Sequence, residues 1–147
     1  MNITWEFTTF DALVLLGIIP VIAIIFIIRL IIKKLKAPSG IDKKFVKQQW
    51  KKIEQLISYG KEMNYKLAVI EADKLLDYVL KQMHFPGKTM AERLKLATYQ
   101  YPKLQSVWWA HKVRNLVVHD VRYHLRYGES RKVLSLFKNA LKDLNVL

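Results

Sequence analysis

Residues 12–32 read ALVLLGIIPVIAIIFIIRLII, and 18 of these 21 positions are Ala, Val, Ile, Leu or Phe. No other feature constrains the chain so strongly. As a helix rising about 1.5 Å per residue, the run is about 30 Å long, the thickness of a bilayer's hydrocarbon core. A helix on a soluble domain needs a polar face, and only Gly17, Pro20 and Arg29 interrupt the apolar residues here. The run predicts a transmembrane helix. A cleaved signal peptide needs positive charge before its apolar segment and small residues after it. Residues 1–11 contain no Lys or Arg and carry Glu6 and Asp11, whereas the run leads into Arg29, Lys33, Lys34 and Lys36. An uncleaved anchor is the better match.

Charge orients the anchor. Eight Lys fall between positions 33 and 52, which places the N-terminus outside and the remainder in the cytoplasm, with the plasma membrane as the expected location. The predicted organisation is a short extracytoplasmic tail (1–11), a span (12–32), a basic linker (33–41) and a cytoplasmic domain (42–147). Residues 33–147 hold 24 Lys and Arg against 10 Asp and Glu. Such an excess attracts a polyanion such as RNA or a nucleotide; it also suits a cytoplasmic flank beside anionic lipid, or a solvated surface. The absence of cysteine excludes a disulfide scaffold, a thiol nucleophile and a zinc finger. No glycine-rich phosphate loop is present.

After Ala37-Pro38-Ser39-Gly40 the periodicity is helical, without strand alternation. A first helix is expected from Asp42 as N-cap to a stop at Gly60, with Val46, Trp50 and Ile53 on its apolar face. A second runs from about Asn64 to His84. Thr89-Met90-Ala91-Glu92 has capping-box spacing and starts a third, to about Tyr99. A fourth is expected over 103–126, ended by Gly128, and a fifth from Ser130 to Leu144. The fold class is all-α: a single transmembrane helix followed by a compact five-helix bundle.

The fourth of these helices carries the candidate chemistry. At about 100° per residue, His111, Arg122, Asn115, Trp108 and His119 fall within about 80° of one another, with Arg114 and Lys112 on the flanks. Between Lys103 and Gly128 the only acidic residue is Asp120, so nothing local neutralises this face and an anionic ligand would. The alternatives are an Arg114 paired with Asp73, Asp77 or Glu71 of the second helix, and histidines satisfied by neighbours. Asp120 and His124 have metal-ligand spacing but lack a third ligand, so no metal and no cofactor is expected. Trp108 and Trp109 suit base stacking, but tryptophans on either side of a bundle helix are more often core or dimer contacts.

Arg114-Asn115-Leu116-Val117-Val118-His119 resembles the motif of HEPN domains: an arginine, usually followed by a polar residue, then a histidine after a four- to six-residue spacer. Trp109-Ala110-His111-Lys112, Asp120, the stretch Lys66–Leu76 and the stretch Gly87–Leu94 are also similar to that family, so the resemblance covers about 45–145. It implies a small HEPN-like helical domain that often dimerises and, in many members, a metal-independent endoribonuclease. His119 would then be the general acid/base, Arg114 the phosphate clamp, and Asn115 a group that orients the imidazole or binds phosphate; His111, Lys112 and Arg122 are further candidates for substrate binding. Arg114 and His119 are about 140° apart round an ideal helix. The expectation is therefore a homodimer through the 103–126 helix, with the cleft built from both copies. The function expected is a membrane-anchored RNA-cleaving enzyme in a toxin or defence setting. Its rivals are a non-catalytic RNA- or nucleotide-binding or dimerising adaptor module, and a helical domain that docks a partner.

Overall fold

The computed structural model describes residues 18–27 and 40–147. Two compact units divide the chain at Ala37/Pro38. In the first unit, residues 18–27 are helical, with exposed side chains throughout, including Ile19 at 62% and Phe26 at 61%. Apart from these ten residues the expected span lies outside the described residues, as do the tail 1–11 and all but the last two residues of the linker 33–41. Among the described residues no helix is long and apolar enough to cross a membrane.

The second unit is all-α, with no strand among the described residues. It comprises α1 (Lys43–Ser58), α2 (Glu62–Gln82), α3 (Met90–Gln100), a 3-10 turn (Pro102–Ser106), α4 (Val107–His119) and α5 (Tyr127–Asp143). Local chemistry sets the starts of two of these. Asp42 caps α1, its carboxylate accepting from the Phe45 N–H at 2.9 Å. Thr89 caps α3 by accepting from the Glu92 N–H at 3.2 Å, and Glu92 reaches back to the Lys88 N–H at 2.7 Å. This is a capping box shifted by one residue. The α2 helix ends where His84 takes a left-handed φ of 60° and the Phe85 N–H returns to the Leu80 carbonyl.

The central helix is α2, which packs against α1, α3, α4 and α5. Ala68 and Ala72 are fully buried beside Val69, Leu76, Val79 and Leu80. Four residues apart, these two alanines share one face of α2, where small side chains let a neighbouring helix approach closely. The α5 helix contributes Val133, Phe137 and Leu141, and the core closes through Leu94, Leu104 and Leu144.

The fourth helix departs from expectation at both ends. Pro102 opens a 3-10 turn, so the α-helix begins only at Val107. It stops at His119 rather than Arg126, because the Asp120 side chain accepts from the Arg122 N–H at 2.9 Å and turns the chain. Gly128 consequently sits in the first turn of α5 instead of ending the preceding helix. The segment between is held to the start of α2, where Glu62 accepts from the Leu125 N–H at 3.2 Å.

Candidate functional site

The helix α4 turns its Val107, Ala110, His111 and Val113 side inward. The His-, Arg- and Asn-bearing stripe therefore does not face solvent as a unit, which corrects the expectation from the helical wheel. His111 is 8% exposed, whereas Trp109 is 37% exposed under the Lys132 ammonium.

What makes burial of His111 tolerable is Asp73 of α2, itself 2% exposed. Its Oδ1 lies 2.7 Å from His111 Nδ1. A carboxylate only accepts, so Nδ1–H donates and the ring proton is assigned to that nitrogen. The other oxygen, Oδ2, lies 3.3 Å from Arg114 Nε. That contact is an ion pair without an aligned hydrogen bond, since Arg114 Nε is the one buried side-chain atom among the described residues that lacks a hydrogen-bond partner. Arg114 also donates through Nη1 to Asn115 Oδ1 at 2.9 Å. Of the two readings of Arg114, the alternative, pairing with an acid of the second helix, is the one found here, and Asp73 is the acid.

These residues line an open cleft of about 500 Å³ between α2, α3 and α4. Five cationic side chains, Lys74, Lys81, Lys88, Arg93 and Arg114, face two carboxylates, Asp73 and Asp77. Most of the cations are engaged. Arg93 Nε reaches Asp77 Oδ1 at 2.7 Å and its Nη1 donates to the Gly87 carbonyl; Lys81 Nζ lies 2.8 Å from Asp77 Oδ2, and Lys74 Nζ pairs with Glu71 at 2.8 Å. Lys88 has no ion pair among the described residues. Burial pushes the Asp77 carboxyl up, but the hydrogen bonds and charges of Arg93 and Lys81 outweigh it and hold the group below its ordinary value. The cleft keeps an excess of positive charge, and the N-terminus of α3 adds its partial positive charge at Met90 and Ala91.

Of the sequence-derived candidates, the fold brings His111, Arg114 and Asn115 together at this cleft. It does not bring His119, Lys112 or Arg122 there. His119 is the exposed last residue of α4, Lys112 is exposed, and Arg122 lies beyond the helix in the turn that Asp120 makes. Lys88 and Arg93 complete the site without having been candidates, and Asp77, weighed as a partner of Arg114, pairs with Arg93 instead. Asp73 carried a legible signal, because it is the one acid set among the buried positions Val69, Ala72 and Leu76 of α2. A second cleft of about 480 Å³ between α1 and α2 is walled by Phe45, Leu56, Leu75 and Tyr78; its Glu71 and Lys74 pair with each other, and Lys52 is its remaining charge.

Comparison of the chain with protein-family models, with curated proteins and with solved structures yields no match.

Proposed function

We propose that this chain is a membrane-anchored, HEPN-like endoribonuclease that acts without a metal. The observation that carries the proposal is the adjacency of Arg114 and Asn115 in a net-cationic cleft, on a helix that ends in the exposed His119. An RNA phosphate fits such a cleft. Arg114 would hold its non-bridging oxygens, with Asn115 fixing the guanidinium through the 2.9 Å bond already present. The 2′-oxygen attacks phosphorus, the O2′–P bond forms and the P–O5′ bond breaks. An imidazole moves the proton.

Arg114 lines the cleft and His119 does not, so the imidazole would come from a second copy. Val118, 46% exposed, and Val121, 98% exposed, flank His119 and supply apolar surface for that copy to cover. The apolar run of residues 12–32, its basic flank and the outward side chains of the 18–27 helix support anchoring in the plasma membrane, N-terminus outside, with residues 42–147 in the cytoplasm.

The engagement of Arg114 by Asp73 favours one second reading, in which the same cleft binds RNA or a nucleotide without cutting it. Full-length protein in detergent micelles, assayed by filter binding across a salt series and by a cleavage gel, separates the two. Wild type should cleave, and His119→Ala should lose at least ~100-fold in rate with binding nearly unchanged. Equal cleavage by both would refute the catalytic assignment. Binding without product supports the second reading, and absence of binding refutes both.

A further inference from the structure

Resting on the proposal that the cleft takes RNA, we propose that His111, not His119, is the residue that recognises ribose: its Nε2 accepts a hydrogen bond from a 2′-hydroxyl whose neighbouring 3′-phosphate is held by Arg114 and Lys88.

The two nitrogens of His111 have different fates. Nδ1 is committed to Asp73 at 2.7 Å. Nε2 has no hydrogen-bond partner among the described residues, yet it is not among the buried unpartnered atoms. His111 lines the cleft, so Nε2 is the nitrogen through which an otherwise buried imidazole meets the cleft's contents. With Asp73 accepting from Nδ1–H, the uncharged form of the ring is the one that presents a lone pair at Nε2. A lone pair at the floor of a cationic cleft selects a neutral hydrogen-bond donor. It does not select a phosphate oxygen, which would face it lone pair to lone pair. The Trp108 ring, set edge-on to the imidazole with centroids 6.5 Å apart, limits the ring's orientation from the other side. Asp73 is therefore a positioning residue: it fixes the tautomer and does not touch the ligand.

The anion-binding half lies alongside. Residues three apart on a helix stand on one face, and His111 and Arg114 both line this cleft. Arg114 stands three residues after His111, spends Nη1 on Asn115 and Nε on Asp73, and keeps the N–H groups of Nη2 for a ligand. Lys88, which lines the cleft just before α3, supplies a second charge with no competing carboxylate within ion-pair range among the described residues. A donor-seeking imidazole next to an anion-seeking guanidinium matches a ribonucleoside 3′-phosphate and leaves its 2′-deoxy counterpart one hydrogen bond short.

The test is a binding measurement that needs no cleavage. Full-length protein in micelles is titrated by calorimetry with adenosine 3′-monophosphate and uridine 3′-monophosphate, each beside its 2′-deoxy and 2′-fluoro forms, with inorganic phosphate as reference. Wild type should bind the ribonucleotides about tenfold more tightly than the deoxy and fluoro forms. His111→Phe should abolish that preference and keep the weak binding shared with inorganic phosphate. Should that variant not fold, Asp73→Asn, which frees the tautomer, should reduce the preference at least threefold; the nitrogen shifts of His111 in wild type should also show the proton on Nδ1. Equal binding of ribo and deoxy forms by wild type, a preference that survives His111→Phe, or no binding at millimolar ligand overturns the proposal. A wild type that prefers ribonucleotides but leaves RNA intact would sink the nuclease reading alone, and one that cuts RNA without the preference would sink this one alone.

Discussion

Replacing Arg93 by Met tests how the cleft is held open. The Arg93 side chain is 6% exposed and its partner Asp77 17%, so both sit largely out of water. Arg93 ties α3 to α2 through Asp77 and ties the 84–89 loop to α3 through the Gly87 carbonyl. Charge-assisted hydrogen bonds of this kind contribute about 1.5–3 kcal/mol each. Loss of one partner of a fully buried pair costs about 3–5 kcal/mol, but here Lys81 stays at 2.8 Å and the carboxylate is not stranded. Met retains most of the packing of the arginine stem. The net loss should be about 2–3 kcal/mol, and Tm should fall by about 10 °C for a domain of this size. Far-UV circular dichroism of a 38–147 fragment, which contains the whole hydrophobic core, reads it directly.

The pH dependence supplies the sharper check. The Asp77 carboxyl is held below its ordinary value of 3.8, so its stabilising contribution is complete above that pH and fades as pH falls through the lowered native value. The gap between wild type and Arg93→Met should be widest at neutral pH and should narrow below 3.8. A gap under about 0.5 kcal/mol at neutral pH, or one that stays constant into the acid range, would refute the assignment to the ion pair.

Two further predictions concern other parts of the bundle. Gly87→Ala should destabilise by about 3 kcal/mol, because a Cβ there would lie 2.9 Å from Glu92 Cβ and 3.1 Å from the Arg93 nitrogen, at a φ of +148°. Gly60→Ala, at φ +71° with nothing within 4 Å, should cost only about 1 kcal/mol; equal urea midpoints for the two variants would contradict the steric account. Burial, then the hydrogen bond to Glu129 at 2.7 Å, pushes the Tyr123 hydroxyl up to about 12. Its contribution to stability is present below its ordinary value of 10.0 and is lost as pH rises through about 12. Ultraviolet titration should show one late-ionising tyrosine that Tyr123→Phe removes, and a single step near 10 for every tyrosine would contradict it.

Much of the fold was legible because local chemistry writes it. Asp42 and Thr89 satisfy orphan N–H groups that every helix start must satisfy, and both starts fall where those residues predict. Apolar spacing identified Val46, Trp50 and Ile53 as core for the same reason: a single side of a helix must leave water. The length of α4 was less legible. Asp120 offers the backbone an alternative partner, and whether such a residue sits in a helix or ends it depends on competing hydrogen bonds that composition does not rank.

The site shows where sequence stops and tertiary structure begins. Residue order alone determined an apolar stretch long enough to span a bilayer, an all-α domain after it, and a helix bearing His111, Arg114, Asn115 and His119 at known angles to one another. Those angles are relative. Periodicity sets the phase between side chains but not which of them turns inward, since that depends on what the neighbouring helix presents. Only packing against α2 decided it: Asp73, itself buried, gave His111 a partner that permits its burial and drew Arg114 to the same carboxylate, and so separated both from His119 on the same helix.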